Sequence, residues 1–172
     1  MLMLMRVRRF QPTATDAAAL RHLRLRSVRE EPIAFSVSYD EINETPLEAI
    51  LEHLQETDVL GAWTEDELIG MVGVQRAAGA KVRHRATIGG MYVVPEMRGR
   101  GVGRALLDAA LTHTRSFAGV RYVTLAVVIA PATAIGLYER AGFQRWGVEP
   151  GALRVDGVDY DLAHMVLDLA EG

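Results

Sequence analysis

A chain of 172 residues, 49% apolar and 24% charged, has the size and balance of one domain with a full core, so residues 1–172 are read as a single domain. Its formal net charge of −3 argues against a binder of nucleic acid or anionic membrane, and the absence of cysteine excludes disulfides, thiolate metal sites and a cysteine nucleophile. The segment Met1–Met5 ahead of Arg6, Arg8 and Arg9 is too short, with its charge on the wrong side, for a signal peptide, and no stretch has the length of a membrane helix, so a cytoplasmic location is expected.

Residues 4–10 read as a first strand, and Asp16–Glu30 as an amphipathic helix, with Ala19, Leu20, Leu23 and Val28 between arginines, ending before Pro32. An acidic loop with two aromatics, Phe35 and Tyr39, follows. Thr45-Pro46-Leu47-Glu48 has the pattern of a capping box with proline at the first helical position, and predicts a second helix through Gln55. Val59–Thr64 and Leu68–Ala77 predict a hairpin, and Lys81–Val94 a long strand with a bulge at Gly89-Gly90. A helix beginning near Ala105 comes next, then a buried strand over Tyr122–Ile129, a helix over Ala132–Ala141 closed by Gly142, and a strand over Phe143–Val148. Turns at Pro150-Gly151 and Asp156-Gly157 precede a last strand, Tyr160–Leu169. The predicted order is β-α-α-β-β-β-α-β-α-β-β.

The stretch Met91-Tyr92-Val93-Val94-Pro95-Glu96-Met97-Arg98-Gly99-Arg100-Gly101-Val102-Gly103-Arg104 carries the chemistry. A strand stops at a proline, a basic glycine-rich loop follows, and a helix begins. Such a helix start offers unpaired N–H groups and the positive end of its dipole. Gly99, Gly101 and Gly103 let an anion approach the backbone, and Arg98, Arg100 and Arg104 add charged donors. The pattern fits a pyrophosphate cradle. It is not a Walker loop, because the one lysine is Lys81, nor a dinucleotide fingerprint, because the glycines are spaced Gly-x-Gly-x-Gly with no acid at the expected distance.

Arg98-x-x-Gly101-x-Gly103 resembles the acetyl-CoA loop of the GNAT superfamily of N-acetyltransferases. Ala134-Ile135-Gly136-Leu137-Tyr138-Glu139-Arg140-Ala141-Gly142-Phe143 resembles that family's segment after the fifth strand, and Leu153–Met165 its closing hairpin. The resemblance runs from end to end and implies an α/β (α+β) GNAT fold, a central mixed, mostly antiparallel sheet flanked by helices. It also implies that acetyl-CoA lies along Met91, Tyr92, Val93 and Val94 with its phosphates on residues 98–104. The backbone N–H near Val93 would stabilise the oxyanion, and Tyr138 would protonate the departing thiolate. One position departs from the family pattern: Pro131 stands where relatives often carry an asparagine that contacts CoA.

The resemblance implies an acetyl-CoA-dependent N-acetyltransferase acting on a primary amine, most simply of a small molecule, by direct attack in a ternary complex. The rival reading is a non-catalytic acyl-CoA-binding module of the same fold. The base is open among Glu30, Glu31, Asp40, Glu41, His164 and a water chain. In the family the loop between the first two helices often walls the acceptor site. The resemblance therefore implies that Glu30, Glu31, Asp40 and Glu41 attract a cationic amine with Phe35 and Tyr39 on its carbon skeleton, Glu31, Phe35 and Tyr39 being the substrate candidates, against the alternative of a solvated loop. No histidine spacing suggests a metal. Nucleic-acid binding through the Arg-Gly run lacks interleaved aromatics. Homodimers are common among such proteins, though no stretch here encodes one.

Overall fold

The computed structural model describes residues 5–65, 67–130 and 134–170. In chain order the elements are β1 (Met5–Arg9), α1 (Ala14–Glu30), α2 (Tyr39–Glu44), α3 (Leu47–Glu56), β2 (Asp58–Thr64), β3 (Glu67–Arg76), β4 (Arg85–Val93), α4 (Val102–Arg115), β5 (Tyr122–Val128), α5 (Ile135–Arg140), β6 (Gln144–Val155) and β7 (Val158–Asp168). The strands form one sheet in the order β1-β2-β3-β4-β5-β7-β6. Every neighbouring pair is antiparallel except β4 and β5, which are parallel.

Alternation along β3 assigns the layers. Met71, Gly73 and Gln75 face a cavity shared with Leu20 and Arg24 of α1 and His53 of α3. Gly70 faces the other way, toward Leu106 of α4. Thus α1 and α3 cover one face and α4 the other. Leu137 of α5 approaches Gly103, so α5 lies on the α4 side. Leu20, Ile50, Leu54, Leu106, Leu107, Val72 and Val74 are fully buried between these layers. At one corner Arg8 of β1 forms a two-pronged ion pair with Asp16 of α1, at 2.8 and 2.9 Å, and the Gln11 N–H donates to the same carboxylate. Hydrogen bonding from Arg8 holds the Asp16 carboxyl below its ordinary range.

Several boundaries differ from those the sequence predicts. The acidic loop contains a helix, α2, whose capping box is Ser38 with Glu41. Thr45 is therefore the C-cap of α2 and not the N-cap of α3: its hydroxyl donates to Glu41 O at 2.6 Å, and Pro46 takes the N-cap position of α3. Two short helices in series compete for the same polar residues, and the first one uses Thr45. Strand β4 starts at Arg85 rather than Lys81, because Val82 and Arg83 both donate to Gly79 O in a tight turn. Strand β6 runs on through Pro150-Gly151, which forms a bulge against β7 instead of a chain reversal. Of the helix expected over Ala132–Ala141 the described residues show Ile135–Arg140, and Pro131, Ala132 and Thr133 lie outside them. Gly142, at φ +95°, closes α5 as the sequence predicts.

Gly70 sets how closely α4 lies on the sheet. A Cβ there would stand 2.9 Å from Leu106 Cδ1 and 2.9 Å from the Tyr92 carbonyl oxygen. The second of these is backbone and cannot rotate away. Gly70→Ala is expected to destabilise the fold by about 1–3 kcal/mol. Urea unfolding should show the transition midpoint falling with an unchanged slope.

Candidate active site

Strand β4 turns its middle toward an opening in the sheet. It pairs with β5 only at Arg85↔Tyr122, Ala86↔Val123 and Thr87↔Thr124. The hydroxyls of Thr87 and Thr124 lie 3.2 Å apart at the last of these pairs, and beyond it the two strands part. On its other side β4 stays paired with β3, with a register shift between Met71 and Gly73 that leaves one extra residue on β4. Gly90 sits at that bulge with φ +62°, a conformation that favours glycine. The bulge expected from the glycine pair is present.

The ladder fixes where Val93 points. The Val94 N–H donates to Ile69 O at 3.0 Å, so Val94 is a hydrogen-bonded partner of β3 and Val93, one residue before, is not. The Val93 N–H and C=O consequently face the gap. After β4, Pro95–Met97 make a single 3-10 turn, and the chain reaches α4 through Gly99 at φ +70° and Gly101 at φ +83°. A Cβ on either glycine would meet nothing within 4 Å, so both open onto free space. The first intrahelical bond of α4 is Ala105 N–H to Gly101 O, which leaves the N–H groups of Val102, Gly103 and Arg104 without helical partners.

A cavity of about 640 Å³ joins these parts. Met91, Tyr92, Val93, Arg98, Gly99, Gly101, Val102, Gly103 and Arg104 line it, together with Tyr138 and Leu137 of α5. Two residues of the expected set stand off it. Val94 packs into the core at 1% exposure, and Arg100 points to solvent. The arginines differ from the expectation in a second way. Arg98 donates to Val93 O at 2.9 Å and to Glu31 at 2.7 Å, so it ties the loop to β4 and to the end of α1. Arg104 pairs with Asp108 on its own helix at 2.8 Å. Arg98 and Arg104 are thus already paired, whereas the N–H groups of Val102, Gly103 and Arg104 have no helical partner.

Tyr138 is 7% exposed; its ring meets Phe143 edge-on at 5.9 Å, and its hydroxyl lies 3.7 Å from Met91 Sδ. Burial pushes its phenol up to about 12, so it stays protonated across the neutral range. Tyr92 is differently placed. Its hydroxyl donates to Glu30, and burial, reinforced by that carboxylate, raises its pKa. That bond, together with Arg26, depresses Glu30.

A second chamber of about 560 Å³ opens from the α1–α3 face. The two cavities share Ala34, Phe35, Gly89, Gly90, Ala126 and Val128, so they meet where β4 and β5 separate. Leu153 and Leu162 of the β6–β7 hairpin close the chamber from below. Phe35 stands on the wall between the cavities. Glu31 lies at the mouth of the first, tied to Arg98, and Tyr39 lies outside both, beneath the Arg29 guanidinium at 4.8 Å. The three residues expected to receive an amine are therefore not brought together. Of the base candidates, Glu41 serves the α2 cap and His164 pairs with Glu149 at 2.8 Å. The chamber instead contains Arg24 and His53, which sequence reading passed over because nothing local distinguishes one arginine among several on α1.

The profile of the acetyltransferase (GNAT) family matches residues 22–143, which include the cradle, the gap and Tyr138. Among solved structures, a GNAT-family acetyltransferase from Streptococcus pneumoniae superposes with a TM-score of 0.85 at 22% identity, covering 96% of this chain and 100% of that one. A Salmonella typhimurium structure with its cofactor acetyl-CoA superposes at 0.81 with 20% identity, covering 96% and 94%. At these identities the likeness is one of fold. A mycothiol acetyltransferase from Thermobispora bispora is 51% identical over 65 residues, 36% of this chain and 22% of that protein. The chain thus spans about a quarter of the length of that relative. With the profile covering well over half of its length, the chain belongs to the GNAT acetyltransferase family.

Proposed function

We propose that the protein transfers an acetyl group from acetyl-CoA to the primary amine of a small molecule, in a ternary complex, within the cytoplasm. One observation carries this reading: two cavities enter from opposite faces of the sheet and meet at the gap between β4 and β5. A donor and an acceptor can then be held at once, each on its own side, with no acyl-enzyme between them. The cradle fits a diphosphate, since Gly99 and Gly101 have left-handed backbone and open space where a side chain would stand. The strip of β4 facing the gap fits an extended amide-bearing chain laid beside it. Acetyl-CoA supplies an activated thioester carbonyl.

The chain's own groups have separable tasks. The N–H groups of Val102, Gly103 and Arg104 hold phosphate oxygens at the positive end of α4. The Val93 N–H, which faces the gap, receives the carbonyl oxygen as negative charge develops on it. Tyr138 donates a hydrogen bond to the departing sulfur. An ordinary thiol has a pKa of about 8.5, well below the Tyr138 phenol, so full transfer of the phenolic proton is coupled to the proton that the amine gives up. An alkylamine has a pKa of about 10 and needs a proton acceptor. His53 lines the acceptor chamber, and burial, with the Arg24 charge, lowers its pKa below the ordinary imidazole value. It is therefore neutral at pH 7 and able to accept that proton, directly or through water.

Purified protein with acetyl-CoA and a panel of small amines should release free thiol in proportion to the amine. Acetyl-CoA bound without transfer to any amine would support the non-catalytic module instead. Tyr138→Phe is expected to lower kcat by about 10²-fold with little change in acetyl-CoA affinity. Equal rates would remove Tyr138 from the chemistry. Gly101→Glu strains a left-handed position and sets a carboxylate where the phosphates sit, so calorimetry should show acetyl-CoA affinity falling by at least about 100-fold while circular dichroism is unchanged. Because the His53 pKa is lowered, the acidic limb of kcat should lie below pH 6.5, and His53→Gln should abolish that limb along with most of the rate.

A further inference from the structure

The acceptor chamber has the opposite electrostatic character from the one its acidic surroundings suggest. Glu30 is bonded to Tyr92 and Arg26, Glu31 to Arg98, and Glu41 to the Ser38 cap. None of them lines the chamber, and among the described residues no aspartate or glutamate does. Among the described residues the one formally charged lining side chain is Arg24. The other polar groups there, Ser27, Ser36, His53, Thr57, Gln75 and Thr87, are neutral at pH 7 or carry no charge. Glu56, on α3, acts on His53 but does not line the chamber.

Arg24 also differs from its neighbours on α1. Arg21 donates to Asn43 O at 2.6 Å, Arg26 pairs with Glu30 and Glu96, and Arg29 lies over the Tyr39 ring. Arg24 is half-buried, yet among the described residues its guanidinium makes neither hydrogen bond nor ion pair. Burial lowers its pKa, but an arginine remains charged in a protein. A guanidinium held partly out of water without a partner carries a desolvation cost that a bound anion would offset. Its planar fork matches a carboxylate with two parallel bonds. Around it, Val28, Phe35, Ile42 and Met71 provide an apolar wall suited to a modest hydrocarbon side chain.

We propose that Arg24 anchors a carboxylate on the acceptor, so that the amine acetylated by this protein belongs to a small amino acid rather than to a polyamine or a plain alkylamine. The inference rests on the acetyl-transfer reading and adds the substrate class. The cation selects the acid group, the apolar wall takes the side chain, and the amine is left for the gap. A polycation such as a polyamine is repelled by the same guanidinium. Arg24 acts on binding and orientation, not on the reacting atoms.

The test uses matched compounds that differ only in the carboxylate, such as phenylalanine with phenethylamine and methionine with 3-(methylthio)propylamine, within a panel of α- and ω-amino acids. Each is measured twice: as an acceptor with acetyl-CoA, and by calorimetric titration with CoA present, where no transfer occurs. Wild type should favour an amino acid over its decarboxylated partner by about 10- to 100-fold in both readouts. Assayed at pH 8, where His53 is neutral with or without the Arg24 charge, Arg24→Gln should erase that preference by raising the amino acid's KM and Kd, with kcat and the plain amine changed by no more than about twofold, and Arg24→Lys should recover part of it. In Arg24→Gln acetyl-CoA affinity should be unchanged and Tm should not fall, since the variant removes an uncompensated charge. Equal use of both members of a pair by wild type, equal losses for both in Arg24→Gln, a lowered Tm in that variant, or no binding of any carboxylated amine would each overturn the anchor. Transfer to plain amines in that event leaves the acetyl-transfer reading standing. If acetyl-CoA binds and nothing is acetylated, that reading fails, and the calorimetric preference still decides whether Arg24 holds a carboxylate.

Discussion

The site depends on one interruption of the sheet: β4 and β5 share three register pairs and then diverge. A continuous parallel ladder would use the β4 backbone for pairing and leave a solid wall between the two helical layers. Divergence after Thr87 and Thr124 leaves the Val93 N–H and C=O facing a gap, and that gap joins the two cavities. Unpaired backbone groups near a protein interior are costly, so the arrangement needs support from its surroundings. One such support is visible, since Arg98 donates to Val93 O and also to Glu31. A residue that reads in sequence as a phosphate ligand is also the tie that holds the mouth of the site together.

Packing on the α4 face complements that opening. Gly70 has no room for a Cβ beneath Leu106, so the first turns of α4 lie close to β3 and present their free N–H groups at the end of the gap. Gly99 and Gly101 supply the left-handed turns that bring the chain from Pro95 to the helix start. The glycines thus serve two different ends: close packing at position 70, and open space with unusual dihedrals at 99 and 101. Only the second use creates a surface for a ligand.

Most of this was legible in the sequence because it is local. The proline stop, the glycine spacing, the bulge at Gly89-Gly90 and the closing glycine at 142 are encoded within a few residues of where they act. What could not be read there is nonlocal. The acidic residues near the end of α1 looked like a receptor for a cation, but their partners, Arg98 and Tyr92, come from β4 and the loop after it, more than sixty positions away in the chain. Arg24 could not be singled out, because its character comes from the partners it lacks once α1, α3 and β3 are assembled. Capping failed for a smaller reason: Thr45 and Ser38 both suit a helix start, and the choice between them was made by an unexpected turn of helix at Tyr39–Glu44.

The central claim is that acetyl-CoA is held by backbone N–H groups of the cradle and of β4, on one side of the gap, and hydrogen exchange reads those groups directly. Amide exchange would be measured with and without saturating acetyl-CoA. The account predicts slowed exchange over residues 91–93 and 99–105, with α1 and α3 unaffected until an acceptor is added. Protection confined to α1 and α3, or no protection in the cradle while acetyl-CoA is demonstrably bound, would contradict it.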